Sequence, residues 1–291
     1  MARLLVYFLT VNYHCAALIQ RLLKSLPDSS NIAHRVAIVN NSPGDRQLEA
    51  CAGPTVSILT SATNVGFGRA CNLGLQWIFA RDPQAIVWLV NPDTRLLPGT
   101  HLPAVAEFFE RYASISILGT IVYTDSQQVW FAGGSFDAAK GAIAEANLIS
   151  KDSEHPYVEC DWVSGCSLLI NLARFDRCPQ FDPEFFLYYE DFDFCQRYRQ
   201  QGHGIAITAQ FGLSHAPSSI TNRNRFNKLH HSTYSYAIAL ERYADPLARW
   251  GRMLRIGLVA LALLPLQPAT ALGKLYGLGR YFRRSAPTTP Q

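Results

Sequence analysis

Short apolar runs alternate with stretches of helical spacing through the first ninety residues, and this alternation constrains the fold more than any other feature. The runs are rich in β-branched and aromatic residues and cover residues 4–11, 36–39, 56–59 and 86–90. Apolar positions three and four apart, typical of amphipathic helices, cover residues 16–26 and 68–79. The pattern predicts βαβ units, and therefore an α/β fold with a mostly parallel central sheet flanked by helices.

Composition divides the chain into two parts. With 48% hydrophobic and 16% charged positions among 291 residues, the chain can bury a sizeable core. Residues 221–291 hold 11 Lys and Arg against 2 Asp and Glu, a net charge of +9, whereas residues 1–220 hold 15 against 20, a net charge of −5. We therefore expect one α/β domain over residues 1–220 and a basic helical extension over residues 221–291.

The cysteines and the apolar segments bear on the cellular compartment. Seven cysteines form an odd set without a C-x-x-C pair, which disfavours a disulfide framework and a zinc site and favours a reducing, cytoplasmic setting. Asn12, Tyr13 and His14 follow the first apolar run without a small-residue cleavage site, so this run is predicted to be a buried strand. The run at 256–266 is shorter than a bilayer span needs.

The basic extension has a helical charge pattern. From Pro246 onward, Arg249, Arg252 and Arg255 recur at helical spacing beside apolar residues. Such a basic amphipathic helix favours lying on an anionic membrane surface. A solvated basic face over a core-packing stripe, or a subunit interface, is the alternative. Nucleic acid is disfavoured as a partner, because the segment carries few polar side chains suited to reading bases.

Polar residues follow each predicted strand, where ligands bind in open α/β sheets. In the loop over residues 64–74, Gly66 and Gly68 let backbone approach a ligand closely. Cys71 stands where a dinucleotide-binding fingerprint needs a third glycine or alanine, which disfavours a Rossmann oxidoreductase. The alternative is that these glycines serve only a turn and a helix start.

Asp93 ends an N-P-D turn directly after the apolar run at 86–90. A carboxylate at that strand end suits a hard cation that bridges diphosphate oxygens. The competing interpretation is a turn in which Asp93 bonds its own backbone. His215 follows the apolar run at 205–213 and is predicted on a loop, where it would be a second metal ligand only if Asp93 lies nearby.

Acidic residues stand among aromatic residues over residues 181–202, including Glu190, Asp191 and Asp193. Desolvation by the aromatic rings would raise the pKa of such carboxyls and suit a general base. If a helix begins near Glu190, Asp193 can pair with Arg197 one turn later, which leaves Asp191 for chemistry. The alternative is that these acids only favour a helix N-terminus.

Taken in this order, the motifs resemble the inverting GT-A-fold glycosyltransferases of family 2, in particular its rhamnosyltransferase-like branch. The resemblance covers about residues 4–220. Its most specific parts are the loop at 64–74, the N-P-D turn at 91–93, and the combination of the segments 162–165, 181–182 and 186–191.

The resemblance implies a role for each motif. Residues 1–95 would bind the nucleotide sugar and residues 96–220 the acceptor. Asp191 would be the catalytic base beside Glu190, and Asp93 would hold Mg²⁺ or Mn²⁺, with His215 as a possible second ligand. Trp162 and Gly165 would lie on the acceptor side. The residues expected to bind the nucleotide sugar are Asn12, Tyr13, Asn40, Asn64, Gly66, Phe67, Gly68, Asn72 and Asn91.

Two positions depart from the family pattern: Asn40 stands where the base-binding turn usually offers Asp, and His14 where Asn is usual. An amide both donates and accepts, so Asn40 can still recognise the imide edge of uracil or thymine, and a dTDP- or UDP-sugar is the expected donor. We predict transfer of a sugar, rhamnose first, to a glycolipid or polysaccharide intermediate at the inner face of the cell membrane. A non-catalytic sugar-nucleotide-binding member and a sugar nucleotidyltransferase are the alternatives.

Overall fold

The computed structural model describes residues 5–27, 34–215 and 224–284, and within these ranges the chain forms twelve strands and seven α-helices. The strands are β1 (Val6–Asn12), β2 (His34–Asn40), β3 (Val56–Thr60), β4 (Ile86–Val90), β5 (Thr94–Leu96), β6 (Ile115–Thr124), β7 (Val129–Phe131), β8 (Gly134–Asp137), β9 (Ala142–Glu145), β10 (Val158–Glu159), β11 (Ser167–Asn171) and β12 (Gly204–His215). The helices are α1 (Ala16–Ser25), α2 (Phe67–Phe79), α3 (Leu102–Arg111), α4 (Glu190–Gln200), α5 (Arg225–Tyr243), α6 (Pro246–Leu263) and α7 (Pro268–Arg283).

Ten strands form one central sheet, along the path β10-β12-β6-β11-β4-β1-β2-β3, with β5 beside β12 and β7 beside β6. Six strands of the path run in one direction, and β11 and β10 run against them. The expected α/β class with a mostly parallel sheet is therefore confirmed. The reversed strand β11 lies between β4 and β6 and is the main feature that the alternation pattern does not predict.

The first half of the sheet is built from the alternating runs. All residues of β1 and β4 are buried, and β1 pairs with both β2 and β4, which confirms the prediction of a buried first strand. Helix α2 packs closely on this sheet: a Cβ at Gly74 would lie 2.2 Å from a methyl carbon of Leu9. These parallel strands bring their carboxyl ends to one edge.

Residues 133–161 contain β8, β9 and β10. One prediction about the second half needs correction. His215 does not lie on a loop: it is the last residue of β12 and pairs with Thr94 of β5. Helix α4 begins at Glu190 and ends at Gln200, and Gly202 follows with φ of +92°, as expected for a glycine stop.

The chain divides into two compact units. The first comprises Met1–Ser135, Ala144–Phe186 and Glu190–Pro217, and the second Phe136–Ile143, Leu187–Tyr189 and Ser218–Gln291. The predicted boundary at residues 220–221 lies outside the described residues, so the proposed division into domains stays a prediction.

The second unit contains helices α5, α6 and α7. Helix α7 approaches α5 through Gly273 and Gly277, where an added Cβ would lie 2.7 Å from the carbonyl oxygens of Phe226 and His230. Among the described residues, no helix is long and apolar enough to cross a membrane.

Helix α6 exposes most of its apolar side chains. Leu247, Trp250, Leu254 and Leu258 are exposed, whereas Met253 is buried. The exposed residues recur at intervals of three and four, so they form one stripe along the helix. We call them, together with Leu261, the α6 stripe. Because these apolar side chains are exposed, they do not form the core-packing stripe that the sequence offered as an alternative.

Candidate active site

A hydrogen-bonded network closes the carboxyl ends of β1 and β2. Asn12 lies opposite Asn40 in the parallel register, and its Nδ2 donates to Oδ1 of Asn40 and to Oδ2 of Asp45, both at 3.0 Å. Oδ1 of Asn12 accepts from the backbone N–H of Cys15 at 3.1 Å. Asn12 is fully buried and both of its amide atoms are engaged. It therefore holds the ends of β1 and β2 together, and its expected contact with the nucleotide sugar stays a prediction.

Side chains next to this network reach the surface. Tyr13 is 44% exposed, and its ring lies beside that of His14, with centroids 5.0 Å apart. Asp45 is half-buried and was not singled out from the sequence, because it lies five residues beyond the strand end that drew attention to Asn40. The aromatic ring and the carboxylate are available to a ligand at this edge.

The same edge holds the glycine loop in place. Asn41 donates from Nδ2 to Oδ1 of Asn64 at 2.9 Å, and its own Oδ1 accepts from the backbone N–H of Val65 at 2.9 Å. Gly66 has φ of +88°, and a Cβ there would lie 2.4 Å from the carbonyl oxygen of Phe186. Glycine is therefore required at position 66 for both its conformation and its close approach.

The glycine loop and α2 also anchor the acidic and aromatic segment. The backbone N–H of Phe67 donates to the carbonyl of Phe186 at 2.9 Å. Asn72 bonds the backbone of Phe181 through both amide atoms, at 2.8 and 2.7 Å, and Gly68 leaves room for the same phenylalanine. Asn72 and Gly68 therefore position this segment, and their expected contact with the nucleotide sugar stays a prediction.

Asp93 and His215 lie together. Oδ1 of Asp93 is 3.2 Å from Nε2 of His215, and both side chains are 5% exposed. The antiparallel pairing of β5 with β12 causes this contact, because Thr94 faces His215 directly. The ring of Trp130 packs against His215 with centroids 4.6 Å apart. The condition set for His215 from the sequence, that Asp93 be nearby, is met.

The segment just before β11 joins the N-P-D turn to Asp191. The backbone N–H of Asn91 donates to the carbonyl of Cys166 at 3.2 Å. One residue earlier, the backbone N–H of Gly165 donates to Oδ2 of Asp191 at 2.8 Å. A Cβ at Gly165 would lie 3.5 Å from the ring of Phe67. The glycine loop, the N-P-D turn and α4 therefore meet around this segment.

Burial sets the acidity of the two carboxyls at the start of α4. It raises the pKa of Asp191, although hydrogen bonds from the backbone N–H groups of Gly165 and Phe192 lower it in part. Burial raises the pKa of Glu190 well above its usual range, and the charge of Asp191 adds to this. Glu190 is buried, and its Oε2 has no hydrogen-bond partner among the described residues. Asp191 remains partly exposed.

Two further acids differ in role. Oδ2 of Asp193 accepts from Nε of Arg197 at 2.7 Å, which confirms the predicted pair on one face of α4. Glu145 of β9 was not anticipated: burial raises its pKa and the charge of Asp191 raises it further, so it lies within electrostatic reach of that carboxylate. No spacing in the sequence links residues 145 and 191, because the fold alone brings them close.

Trp162 packs against β7 and β8. Its side chain is nearly buried, and a Cβ at Gly134 would lie 2.1 Å from its Nε1. Its ring contacts that of Phe131, with centroids 5.1 Å apart. Trp162 was expected on the acceptor side, and in this position it fixes the segment that carries Gly165.

The pair Asp93 and His215 suits a divalent metal in part. Two ligands at right angles on a metal about 2.1 Å away stand about 3 Å apart, close to the observed separation. Among the described residues, no group of three or more His, Cys, Asp or Glu side chains that could hold a metal ion occurs. Asp93 and His215 would therefore supply only part of a metal's ligands.

Comparison with known proteins agrees with this geometry. The model of the family "Glycosyl transferase family 2" matches residues 7–164, more than half of the chain. The chain belongs to glycosyl transferase family 2. It is therefore a glycosyltransferase. The matched residues include the strand-end network, the glycine loop and Asp93, and they end before Gly165, Asp191 and His215.

Two similar curated proteins come from Mycobacterium tuberculosis. The N-acetylglucosaminyl-diphospho-decaprenol L-rhamnosyltransferases of strains CDC 1551 / Oshkosh and ATCC 25618 / H37Rv are each 26% identical to this chain over 270 residues. The alignment covers 83% of this chain and 85% of each relative. This family 2 member is thus rhamnosyltransferase-like in sequence.

Solved glycosyltransferases share the fold. The crystal structure of GalNAc-T7 with UDP, GalNAc and Mn²⁺ superposes with a TM-score of 0.63 at 11% identity, over 94% of this chain and 55% of that one. The mannosyltransferase PcManGT from Pyrobaculum calidifontis, in complex with GDP-Man and Mn²⁺, gives a TM-score of 0.54 at 11% identity, over 96% of this chain and 87% of that one. These similarities show a GT-A fold, and both solved structures contain Mn²⁺.

Proposed function

We propose that this family 2 enzyme transfers its sugar with inversion and that Asp191 is the general base. The observation that carries the proposal is the environment of this carboxylate. It is partly exposed, burial raises its pKa, and the backbone N–H of Gly165 holds one of its oxygens. A base with a raised pKa accepts a proton more readily than an ordinary carboxylate.

The reaction follows from that role. Asp191 takes the proton from an acceptor hydroxyl, the hydroxyl oxygen forms a bond to the anomeric carbon, and the bond from that carbon to the diphosphate oxygen breaks. Attack and departure occur on opposite faces, so one displacement inverts the carbon. Because the base must be ionised, we expect the rate to fall as the pH drops below the raised pKa of Asp191.

Asp93 and His215 are proposed to hold Mg²⁺ or Mn²⁺, which would neutralise charge on the leaving diphosphate. Their separation and burial support this assignment. The donor pocket is proposed to lie at the strand-end network, where Tyr13 offers a ring for a nucleobase and Asn40 and Asp45 form the polar floor. Asn64, Gly66 and Asn91 would line the diphosphate side.

The donor is proposed to be dTDP-rhamnose and the acceptor a lipid-linked sugar diphosphate. The names of the mycobacterial relatives, which specify rhamnose transfer to a diphospho-decaprenol substrate, support rhamnose as the sugar and a lipid-linked acceptor. A lipid-linked acceptor requires the enzyme to work at a membrane surface. We therefore also propose peripheral association with the inner face of the cell membrane, through the α6 stripe and the arginines beside it.

Replacing Asp191 by Asn tests the catalytic assignment. The amide cannot take a proton, so we expect transfer to fall by about 10²–10⁴-fold, while donor binding stays within a few fold. The measurement is turnover with dTDP-rhamnose and a lipid-linked acceptor analogue, beside calorimetric donor binding. Asp176→Asn, which removes an exposed carboxylate, serves as the control. Near-normal turnover in the Asp191 variant would exclude this residue as the base.

A thermal-shift experiment tests the donor and the metal together. A ligand that binds the folded protein raises its melting temperature. We expect dTDP-rhamnose with Mn²⁺ to raise it more than UDP- or GDP-sugars do, and the shift to shrink in EDTA or in Asp93→Asn. An equal shift with GDP-mannose would contradict the donor assignment, and an undiminished shift in Asp93→Asn would contradict the metal site.

A further inference from the structure

A cleft of about 630 Å³ lies between α5 and α7 in the second unit. Its two ends differ in chemistry. One end is apolar and is lined by Phe226, Leu272 and Tyr276, and the other is basic and is lined by Arg280, Arg283 and Arg284. Residues 272 and 283 are eleven positions apart on α7, a rise of about 16 Å along the helix. The catalytic assignments above use none of these residues.

The apolar end is preformed. The rings of Phe226 and Tyr276 lie 5.9 Å apart between their centroids, so the two helices contribute to one wall. Leu272 and Tyr276 are 49% and 57% exposed. Close contact of Gly273 and Gly277 with α5 fixes the separation of the two helices. The apolar surface stays open to solvent although its backbone is rigidly packed.

The basic end is oriented by an aromatic ring. The guanidinium carbon of Arg280 lies 4.1 Å from the ring centroid of Tyr234, which is almost fully buried. Arg284 forms an ion pair with Glu241, and Arg283 is exposed. No carboxylate is among the described side chains that line the cleft. Arg280 and Arg283 therefore give this end a net positive charge, and arginine is well suited to bidentate phosphate binding.

Gly279 leaves the middle of the cleft open. It lies between Tyr276 and Arg283 on the same face of α7, and a Cβ there would meet no atom within 4 Å. A side chain at this position would project into the cleft without disturbing the packing of the helix. The open position connects the apolar end to the basic end.

We propose that this cleft binds one anionic phospholipid, with its phosphate on Arg280 and Arg283 and the start of its acyl chain along Leu272 and Tyr276. Charge complementarity and the apolar-to-basic polarity of the cleft support this ligand. Exposed apolar surface of the α6 stripe also lies near the basic end of the cleft, because Phe282, the neighbour of Arg283 in the chain, stacks on Trp250 with centroids 6.1 Å apart. This inference depends on the membrane association proposed above, because the membrane would supply the lipid.

The test measures binding of a short-chain, soluble phosphatidylglycerol to the full-length protein by calorimetry. We expect binding that Gly279→Leu weakens at least tenfold, because leucine fills the open position. Arg280→Gln combined with Arg283→Gln should also weaken lipid binding at least tenfold, because each arginine is expected to contribute about fivefold. Gly257→Leu on α6 is the matched control, since a Cβ there also meets no atom within 4 Å.

Each outcome bears on the proposal. Unchanged affinity in Gly279→Leu would overturn it, and so would equal binding of short-chain phosphatidylcholine or of inorganic phosphate alone. Tighter binding of a polyprenyl phosphate than of phosphatidylglycerol would overturn the choice of lipid. Because the probe is soluble, the result does not depend on adsorption to bilayers. If the wild-type protein binds the soluble lipid but does not bind vesicles, only the proposal of membrane association is contradicted.

Discussion

Glu190 and Asp191 are neighbours in the chain, yet their surroundings differ. Glu190 is buried with an unpartnered Oε2 among the described residues, and its pKa is raised further than that of Asp191. Asp191 is partly exposed and receives the N–H of Gly165. We predict that Glu190 is neutral in the folded protein, so that it places no second negative charge beside the proposed base.

Glu190 should make the stability of the protein depend on pH. Its pKa is higher in the folded protein than its ordinary 4.5, so the folded state binds more protons than the unfolded state above that pH. Its contribution is complete below about pH 4.5 and is lost as the pH rises through the folded pKa. We expect Glu190→Gln to flatten this decline in the free energy of unfolding, measured by urea denaturation between pH 5 and 8.

Glu110→Gln provides the reference for that series, because its carboxylate is exposed. It should leave the pH dependence unchanged. If Glu190→Gln shows the same slope as the wild type, Glu190 is ionised in the folded protein, and its proposed neutrality is wrong.

At the scale of elements, α7 shows how two glycines in one helix can serve opposite purposes. Gly277 brings the backbone against α5, whereas Gly279 faces open space. The same substitution at the two positions should therefore have effects of opposite sign on stability. Neither role can be predicted from the sequence, because the spacing of glycines does not determine which face of a helix packs against a neighbouring helix.

We expect Gly277→Ala to lower the free energy of unfolding by about 1–3 kcal/mol, because its Cβ would lie 2.7 Å from a carbonyl oxygen. Gly279→Ala should raise it by up to about 1 kcal/mol, since alanine favours helix and meets no atom. Chemical denaturation of both variants measures the difference. A stabilised Gly277 variant would show that α5 and α7 are packed less closely than described.

The elements that sequence predicts well are those whose pattern is local. Strand β4 matches the predicted run residue for residue, and α4 begins at the predicted Glu190. The pairing of β11 with β4 was not predicted, because contacts between residues 86–90 and 167–171 produce no local pattern in the sequence. For the same reason, the Gly165 contact that orients Asp191 and the burial of Asn12 required the folded structure.

For the whole molecule, the basic residues are concentrated in one of the two units, and the two units have different proposed roles. The first unit carries the proposed catalytic groups, and the basic second unit carries the α6 stripe. Leu247 and Leu254 are 87% and 65% exposed on that stripe. An apolar stripe so open to water, flanked by arginines, is typical of a helix that lies at a membrane interface.

Replacing Trp250 and Leu254 together by Gln should lower partition of the full-length protein onto anionic vesicles by about tenfold or more, because the apolar area entering the interface is lost. Vesicle flotation at several salt concentrations measures this, and binding of the wild type should weaken with salt. Leu73→Gln on α2 removes an exposed leucine from the first unit and should have no effect.

Gel filtration of the same variants distinguishes the membrane from a second copy of the chain. A wild-type dimer that becomes monomeric in the Trp250 and Leu254 variant, with vesicle binding unchanged, would make the α6 stripe a subunit interface. That result would contradict the membrane proposal.

The network at the ends of β1 and β2 also bears on how nucleotide preference can evolve. Oδ1 of Asn40 and Oδ2 of Asp45 both lie 3.0 Å from one nitrogen of Asn12. Asp at position 40 would set two carboxylates against a single amide, and their repulsion would lower the stability of the folded state. We therefore expect Asn40→Asp to be tolerated better when Asp45 is also replaced by a neutral residue.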